Sequence, residues 1–231
     1  FIAEMPYVGL GNRVDLKNIS PLLRNTAIEQ ASDGELQIEV AKLRTWPEDL
    51  ALSEAESEVD ELLDRLALVD NHRILSVRYK GFIDEQDQFH APQGKGGCFG
   101  TPTAIITSPS AFYECEQQRK VLAGKINPGL ARLHRTAQGM PDGIGKFLLL
   151  YGALLVMHGE TQAKVDDYLL RERPDMLMVQ GKHRYETIVS HIRNQIAHPE
   201  DNIDVQTLAH QAKTYCHVLI GLVRSQIIEN I

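Results

Sequence analysis

Arg193, Asn194 and His198 lie close together in Arg193-Asn194-Gln195-Ile196-Ala197-His198-Pro199. An arginine offers a planar fork of N–H donors, and an asparagine one neutral donor group and one acceptor. A histidine is a base that titrates near neutrality. Side chains of these three types suit the handling of a phosphate group, whose charge must be neutralised while a proton moves beside it. The residue types alone also fit a plainer reading, in which Arg193 pairs structurally and His198 is a surface residue beside a turn.

The elements that must position these side chains can be read from periodicity. Tyr185, Ile188, Val189, Ile192 and Ile196 recur at three- and four-residue steps, which predicts an amphipathic helix over 185–197. Pro199 disfavours a helical backbone at His198, so the helix is expected to end at the Ala197–His198 junction. Arg193 then sits one turn before the end, at the edge of the packed face, and His198 hangs off the terminus. Five residues apart on a continuous helix is roughly 140° of rotation, so Arg193 and His198 do not converge on one ideal helix. Asn194 and His198, four apart, fall on nearly the same face.

Helices flank this segment on both sides. Lys146 to Met157 is apolar nearly all round, as expected of a helix buried on most sides, and Gly159 is placed to cap it. Thr161 to Arg171 reads as a shorter amphipathic helix ended near Pro174. Asp204 is expected to cap a long closing helix carrying Leu208, Ala212, Tyr215, Leu219, Leu222, Val223 and Ile227. The front half reads differently. Leu36 to Leu43 and Ile74 to Phe82 alternate as strands, and Thr103 to Thr107 is a short third one. Ser53-Glu54-Ala55-Glu56 resembles a capping box opening a helix with Val59, Leu62, Leu63 and Leu66 on one side. Ser110 starts another helix toward Ala123. The fold class is therefore α+β, with a mixed α/β domain over 1–123, a linker over 124–144 marked by Asn127-Pro128-Gly129 and Met140-Pro141-Asp142-Gly143, and an all-helical domain over 145–231.

Composition narrows the function classes. A net charge of −7 over 231 residues argues against non-specific attraction to nucleic acid or anionic lipid through the global field. The acidity is uneven: residues 182–231 hold five Lys/Arg, five Asp/Glu and five of the nine histidines. The motif thus lies in a locally neutral region, where a phosphate meets less repulsion. Cys98, Cys115 and Cys216 are far apart, with no CxxC pair, which fits a reducing cytoplasm. Phe1 in place of an initiator Met reads as a trimmed start. No signal peptide is visible after it, and the longest apolar run, Phe147 to Met157, is too short for a membrane span.

Other motifs carry less. Val8-Gly9-Leu10-Gly11-Asn12 lacks the third glycine of a dinucleotide fingerprint, and Gly94-Lys95-Gly96-Gly97 lacks the order of a phosphate loop. His183 and His191 are eight apart and His210 and His217 seven, so neither pair has the spacing of a helical metal clamp; no metal and no cofactor are expected. Tyr185 and Tyr215 fall on apolar faces and are expected in the core. Lys182 and Arg184, at the start of the motif helix, could steer an RNA backbone but read first as ordinary surface residues.

A buried helix, a helix ending in Arg193-Asn194…His198-Pro199 and a long closing helix together resemble the HEPN superfamily of helical domains. Lys146-Phe147-Leu148-Leu149-Leu150-Tyr151 with Val165-Asp166-Asp167-Tyr168 is similar, more narrowly, to its ApeA-type and MauJ-like branch. The resemblance covers roughly residues 140–231. It implies a HEPN-like up-and-down bundle that dimerises, bringing two motifs into one cleft. The implied activity is metal-independent cleavage of RNA, of the stress, toxin or phage-defence kind, leaving a 2′,3′-cyclic phosphate. His198 would then serve as acid or base, Arg193 would stabilise charge on phosphorus, and Asn194 would position a phosphate oxygen or orient a neighbouring side chain. The partners so implied are RNA and a second copy of the chain. Two positions depart from the pattern. Leu155 follows Ala153-Leu154 where many relatives carry a glutamate, leaving Asp166, Asp167 or Glu186 as substitutes. Glu200 stands where members controlled by a nucleotidyltransferase antitoxin carry a tyrosine. A non-catalytic dimerisation or ligand-sensing module, or an accessory protein of a metabolic operon, is the alternative that the resemblance leaves open.

Overall fold

The computed structural model describes residues 2–4, 14–16, 23–32, 35–42, 48–70, 76–78, 82–83, 88–90, 121, 124–182, 184–199 and 204–230. The chain divides into two compact units, Phe1–Ala131 with Ile231 and Arg132–Asn230. The expected strand at 103–107, the helix from Ser110, both glycine motifs, His183 and Glu200 lie outside the described residues.

In the first unit, β1 (Ile2–Glu4), β2 (Val14–Leu16), β3 (Leu23–Ser32), β4 (Glu35–Lys42) and β5 (Ser76–Arg78) form an antiparallel sheet in the order β2-β3-β4-β1-β5. Its longest ladder joins β3 to β4, with Ile28 opposite Ile38. Residues before 35 show no clean alternation, yet they supply three of the five strands. The helix α1 (Glu48–Asp70) packs on β4 and buries Val59, Leu62, Leu63, Leu66 and Ala67, which recur at helical spacing. The capping box expected at Ser53 lies inside this helix, which begins five residues earlier at Glu48, directly after Pro47 in the sequence. A short hairpin of β6 (Phe82–Ile83) and β7 (Phe89–His90) completes the described strands of this unit.

Between 124 and 144, where a linker is expected, the chain forms α2 (Pro128–Gly139). The Asn127 carboxamide oxygen accepts from the Gly129 and Leu130 amides at 3.0 and 3.2 Å, and Pro128 is suited to a first helical position. The Asn-Pro-Gly read as a break is thus a helix start.

The second unit is mostly helical with one small two-stranded sheet, which corrects the all-helical expectation. Its further helices are α3 (Ile144–Met157), α4 (Gln162–Glu172), α5 (Ile188–Ala197) and α6 (Val205–Glu229). The long α6 lies against α3, burying Leu208, Ala212, Cys216, Leu219, Val223 and Ile227 along one stripe. From α3 come Phe147, Leu150, Tyr151, Ala153 and Leu154, and the nearly all-apolar sequence of that helix follows from contacts to α4, α5 and α6. The Tyr168 hydroxyl of α4 donates to the Leu222 carbonyl of α6 at 2.8 Å. The caps fall where the sequence places them. Gly159 takes φ +71° after α3, and Asp204 accepts from the Gln206 amide at 3.0 Å.

The sheet of this unit is a hairpin of β8 (Met178–Gln180) and β9 (Tyr185–Thr187), inserted between α4 and α5. It takes the first three residues of the expected motif helix. Tyr185 belongs to β9 and is 65% exposed, not in the core, and Tyr215 is half-buried. The helix starts later because Thr187 caps it: its hydroxyl accepts from the Ser190 amide at 3.2 Å. Such a cap contributes about 1 kcal/mol. No helix among the described residues is long and apolar enough to cross a membrane.

His134 on α2 is fully buried and held neutral: burial, reinforced by the charges of Arg224 and Lys146, lowers it from 6.5 to about 4. Between those two values the unfolded chain binds the extra proton, so stability is complete above the unfolded value and falls as pH drops toward the folded one. The full loss is on the order of 3 kcal/mol. Urea unfolding from pH 7 to pH 5 should show the first part of this loss, and His134→Leu should flatten it. An unchanged slope in the variant would contradict the assignment.

Candidate functional site

The site is built around a buried carboxylate that the motif itself does not contain. Strand alternation in β9 turns Tyr185 outward and Glu186 inward, where Glu186 is 5% exposed. Its Oε2 accepts from Gln162 Nε2 at 2.6 Å and from Asn194 Nδ2 at 2.9 Å, and its Oε1 lies 3.0 Å from His191 Nδ1. Asn194 Nδ2 also donates to Gln162 Oε1 at 3.2 Å. Both amide hydrogens of Asn194 are thereby engaged, which turns its Oδ1 toward Arg193 Nη1 at 3.1 Å. One α4 side chain, one β9 side chain and three from α5 thus form a network whose last link is the motif arginine.

The hairpin presses on this carboxylate. A side chain at Gly181 would place its first carbon 2.7 Å from Glu186 Cδ and Oε1 and 3.0 Å from the Arg184 carbonyl oxygen, so a residue with a Cβ there would have to push the carboxylate out of its network. Beside it, buried Asp166 accepts from the Thr187 hydroxyl at 2.7 Å and the Thr187 amide at 3.3 Å, and pairs with Arg184. Asp166 and Glu186 therefore pin the two ends of the junction between β9 and α5. That fixes where α5 starts and how its last turn is aimed.

Arg193 is half-buried, with its guanidinium carbon 6.0 Å from the Tyr151 ring centroid, at the outer reach of a cation–π contact. Among the described residues no carboxylate pairs with it. Of the three acids that could replace the one absent at Leu155, Glu186 reaches Arg193 only through Asn194. Asp166 is engaged by Thr187 and Arg184, and Asp167 is exposed on α4. The Tyr151 hydroxyl shares a hydrogen with Ser190 Oγ at 2.8 Å. Burial pushes that phenol up to about 12; the Ser190 bond opposes this, the Asp166 charge adds to it, Arg193 opposes it and Glu186 adds to it. Tyr151 is therefore a neutral platform under Arg193 at neutral pH.

His198 is the C-cap of α5, with φ −136° and ψ 68°, and its backbone amide donates to the Asn194 carbonyl at 2.8 Å. Its imidazole is exposed and makes no hydrogen bond among the described residues. The fold thus joins Arg193 to Asn194 by side chain, and His198 to Asn194 by backbone only. It does not join the Arg193 and His198 side chains within one copy. Chemically, the end of α5 offers a fixed cation with unused donors and an unencumbered imidazole one helical turn away.

Gln162, Glu186 and His191 were not legible as a group, because they come from three separate elements and meet only through the Glu186 carboxylate and Asn194. No group of three or more His, Cys, Asp or Glu among the described residues could hold a metal ion. No family model, curated protein sequence or solved structure matches the chain.

Proposed function

We propose that the protein is a metal-independent endoribonuclease of HEPN type, acting at the end of α5 in a homodimer. The observation that carries this reading is the aimed Arg193: a cation without an ion pair among the described residues, held by Asn194 and a buried network, beside the free imidazole of His198. A helix C-terminus opposes an anion through its dipole, so the positive charge must come from Arg193 itself. In the reaction, one His198 removes the proton of the ribose 2′-hydroxyl. The 2′-oxygen attacks phosphorus, and the 5′-oxygen leaves with a proton from the second copy's histidine. Arg193 stabilises the charge that builds on the phosphoryl oxygens. Asn194 serves as a positioning residue, since its amide is already committed. Two copies bring two imidazoles to one phosphate, which a single α5 does not.

The reading requires the 2′-hydroxyl. In EDTA, an RNA oligonucleotide should be cut into fragments ending in a 2′,3′-cyclic phosphate and a 5′-hydroxyl. The same sequence with 2′-deoxyribose throughout should stay intact. Cleavage of both would replace the mechanism with direct hydrolysis. A second reading, a non-catalytic dimerisation or ligand-sensing module, is favoured by Leu155 standing where many HEPN relatives carry a glutamate; intact RNA under all conditions would select it. A role in stress, toxicity or phage defence belongs to the nuclease proposal, and a cytoplasmic location to both readings.

A further inference from the structure

We infer that the β8–β9 hairpin is a single-stranded RNA platform, with Tyr185 as the surface on which a base stacks. Large aromatic rings are seldom left in water on a rigid element without a partner, and Tyr185 is 65% exposed. Its strand is anchored through the residues that follow Tyr185 and through the turn. The residue after it is buried in the Glu186 network, the next is locked to Asp166, and Gly181 closes the turn through its amide to the Arg184 carbonyl at 2.9 Å. A ring on such a backbone loses little further entropy on binding. The register sets Gln180 opposite Tyr185, so the outward face carries Met178, Gln180 and Tyr185, with Met178 37% exposed.

Charge selects the occupant. From Leu177 to Tyr185 the sequence holds Lys182, His183 and Arg184 and no acid, within a chain of net charge −7. Lys182 is exposed in the turn, and Arg184 spends one edge of its guanidinium on Asp166. An aromatic face beside cations is what an unpaired strand engages, with bases on the ring and phosphates on the cations. A duplex would offer no free base face to Tyr185. The choice of RNA over other polyanions rests on the endoribonuclease reading.

The test uses the full chain and a labelled single-stranded RNA with every 2′-hydroxyl methylated, which binds without being cut. Fluorescence anisotropy should show that Tyr185→Ala weakens binding by roughly tenfold or more, while Tyr185→Phe retains it. Lys182→Gln should flatten the salt dependence by about 0.7 in log–log slope. Because Tyr185 projects into solvent, the variants should melt like the wild type. Equal affinity of wild type and Tyr185→Ala, or no binding by the wild type, overturns the platform. A change of oligomeric state in Tyr185→Ala, seen by light scattering without a change in RNA affinity, overturns it in favour of a protein contact. Tyr185-dependent binding without cleavage of unmodified RNA leaves the platform standing and the nuclease reading fallen; cleavage with Tyr185-independent binding does the reverse.

Discussion

His198→Ala should lower RNA cleavage by roughly two to four orders of magnitude, the range expected for loss of a general acid or base. The side chain is exposed and makes no hydrogen bond among the described residues, so the variant should unfold at the same urea concentration as the wild type. The loss would lie in the chemical step, and single-turnover rates at saturating RNA should carry nearly all of it. In a dimer with composite sites, each phosphate would use one imidazole as base and the other as acid. Mixing His198→Ala with an excess of wild-type chains should then inactivate more sites than it contributes. A variant with reduced RNA affinity and an unchanged single-turnover rate would instead make His198 a binding residue.

Glu186→Ala has the largest expected effect on stability. The buried carboxylate accepts from Gln162 and Asn194 and faces His191, so its removal takes an acceptor from three part-buried side chains at once. Hydrogen bonds to a charged group contribute about 1.5–3 kcal/mol each, and several are lost together; a fall of about 3 kcal/mol in urea unfolding is expected. The isosteric Glu186→Gln keeps the shape and one acceptor oxygen and should lose less. Both should slow cleavage in conditions where they stay folded, because Asn194 would no longer be held to direct Arg193. A Glu186→Ala protein as stable as the wild type would show that the network is incidental to the fold.

The helices of the second unit were readable because their signals are local. Asp204 caps α6 through a bond two residues on, Gly159 ends α3, and the stripe from Leu208 to Ile227 repeats with helical period. The hairpin was not, because its two strands are three residues long. A tyrosine at 185 fits an apolar helical face as well as an exposed strand position, and the decision falls to Thr187 bonding Asp166 across 21 residues. The linker misread has a related cause: Asn-Pro-Gly marks a break in the backbone, and a break can also be a cap. The candidates Arg193, Asn194 and His198 stand out by type and spacing, while what would hold Asn194 in an orienting role does not. That role depends on Gln162, 32 residues away, and on Glu186 brought inward by β9. Side chains that act by holding others carry no spacing of their own.

The most direct measurement sets wild type beside His198→Ala on a mixed RNA pool in EDTA, with the chemical ends of the products identified. Cleavage by the wild type alone, leaving 2′,3′-cyclic phosphates and 5′-hydroxyls, is the expected result. Equal cleavage by both proteins, or none by either, would contradict it.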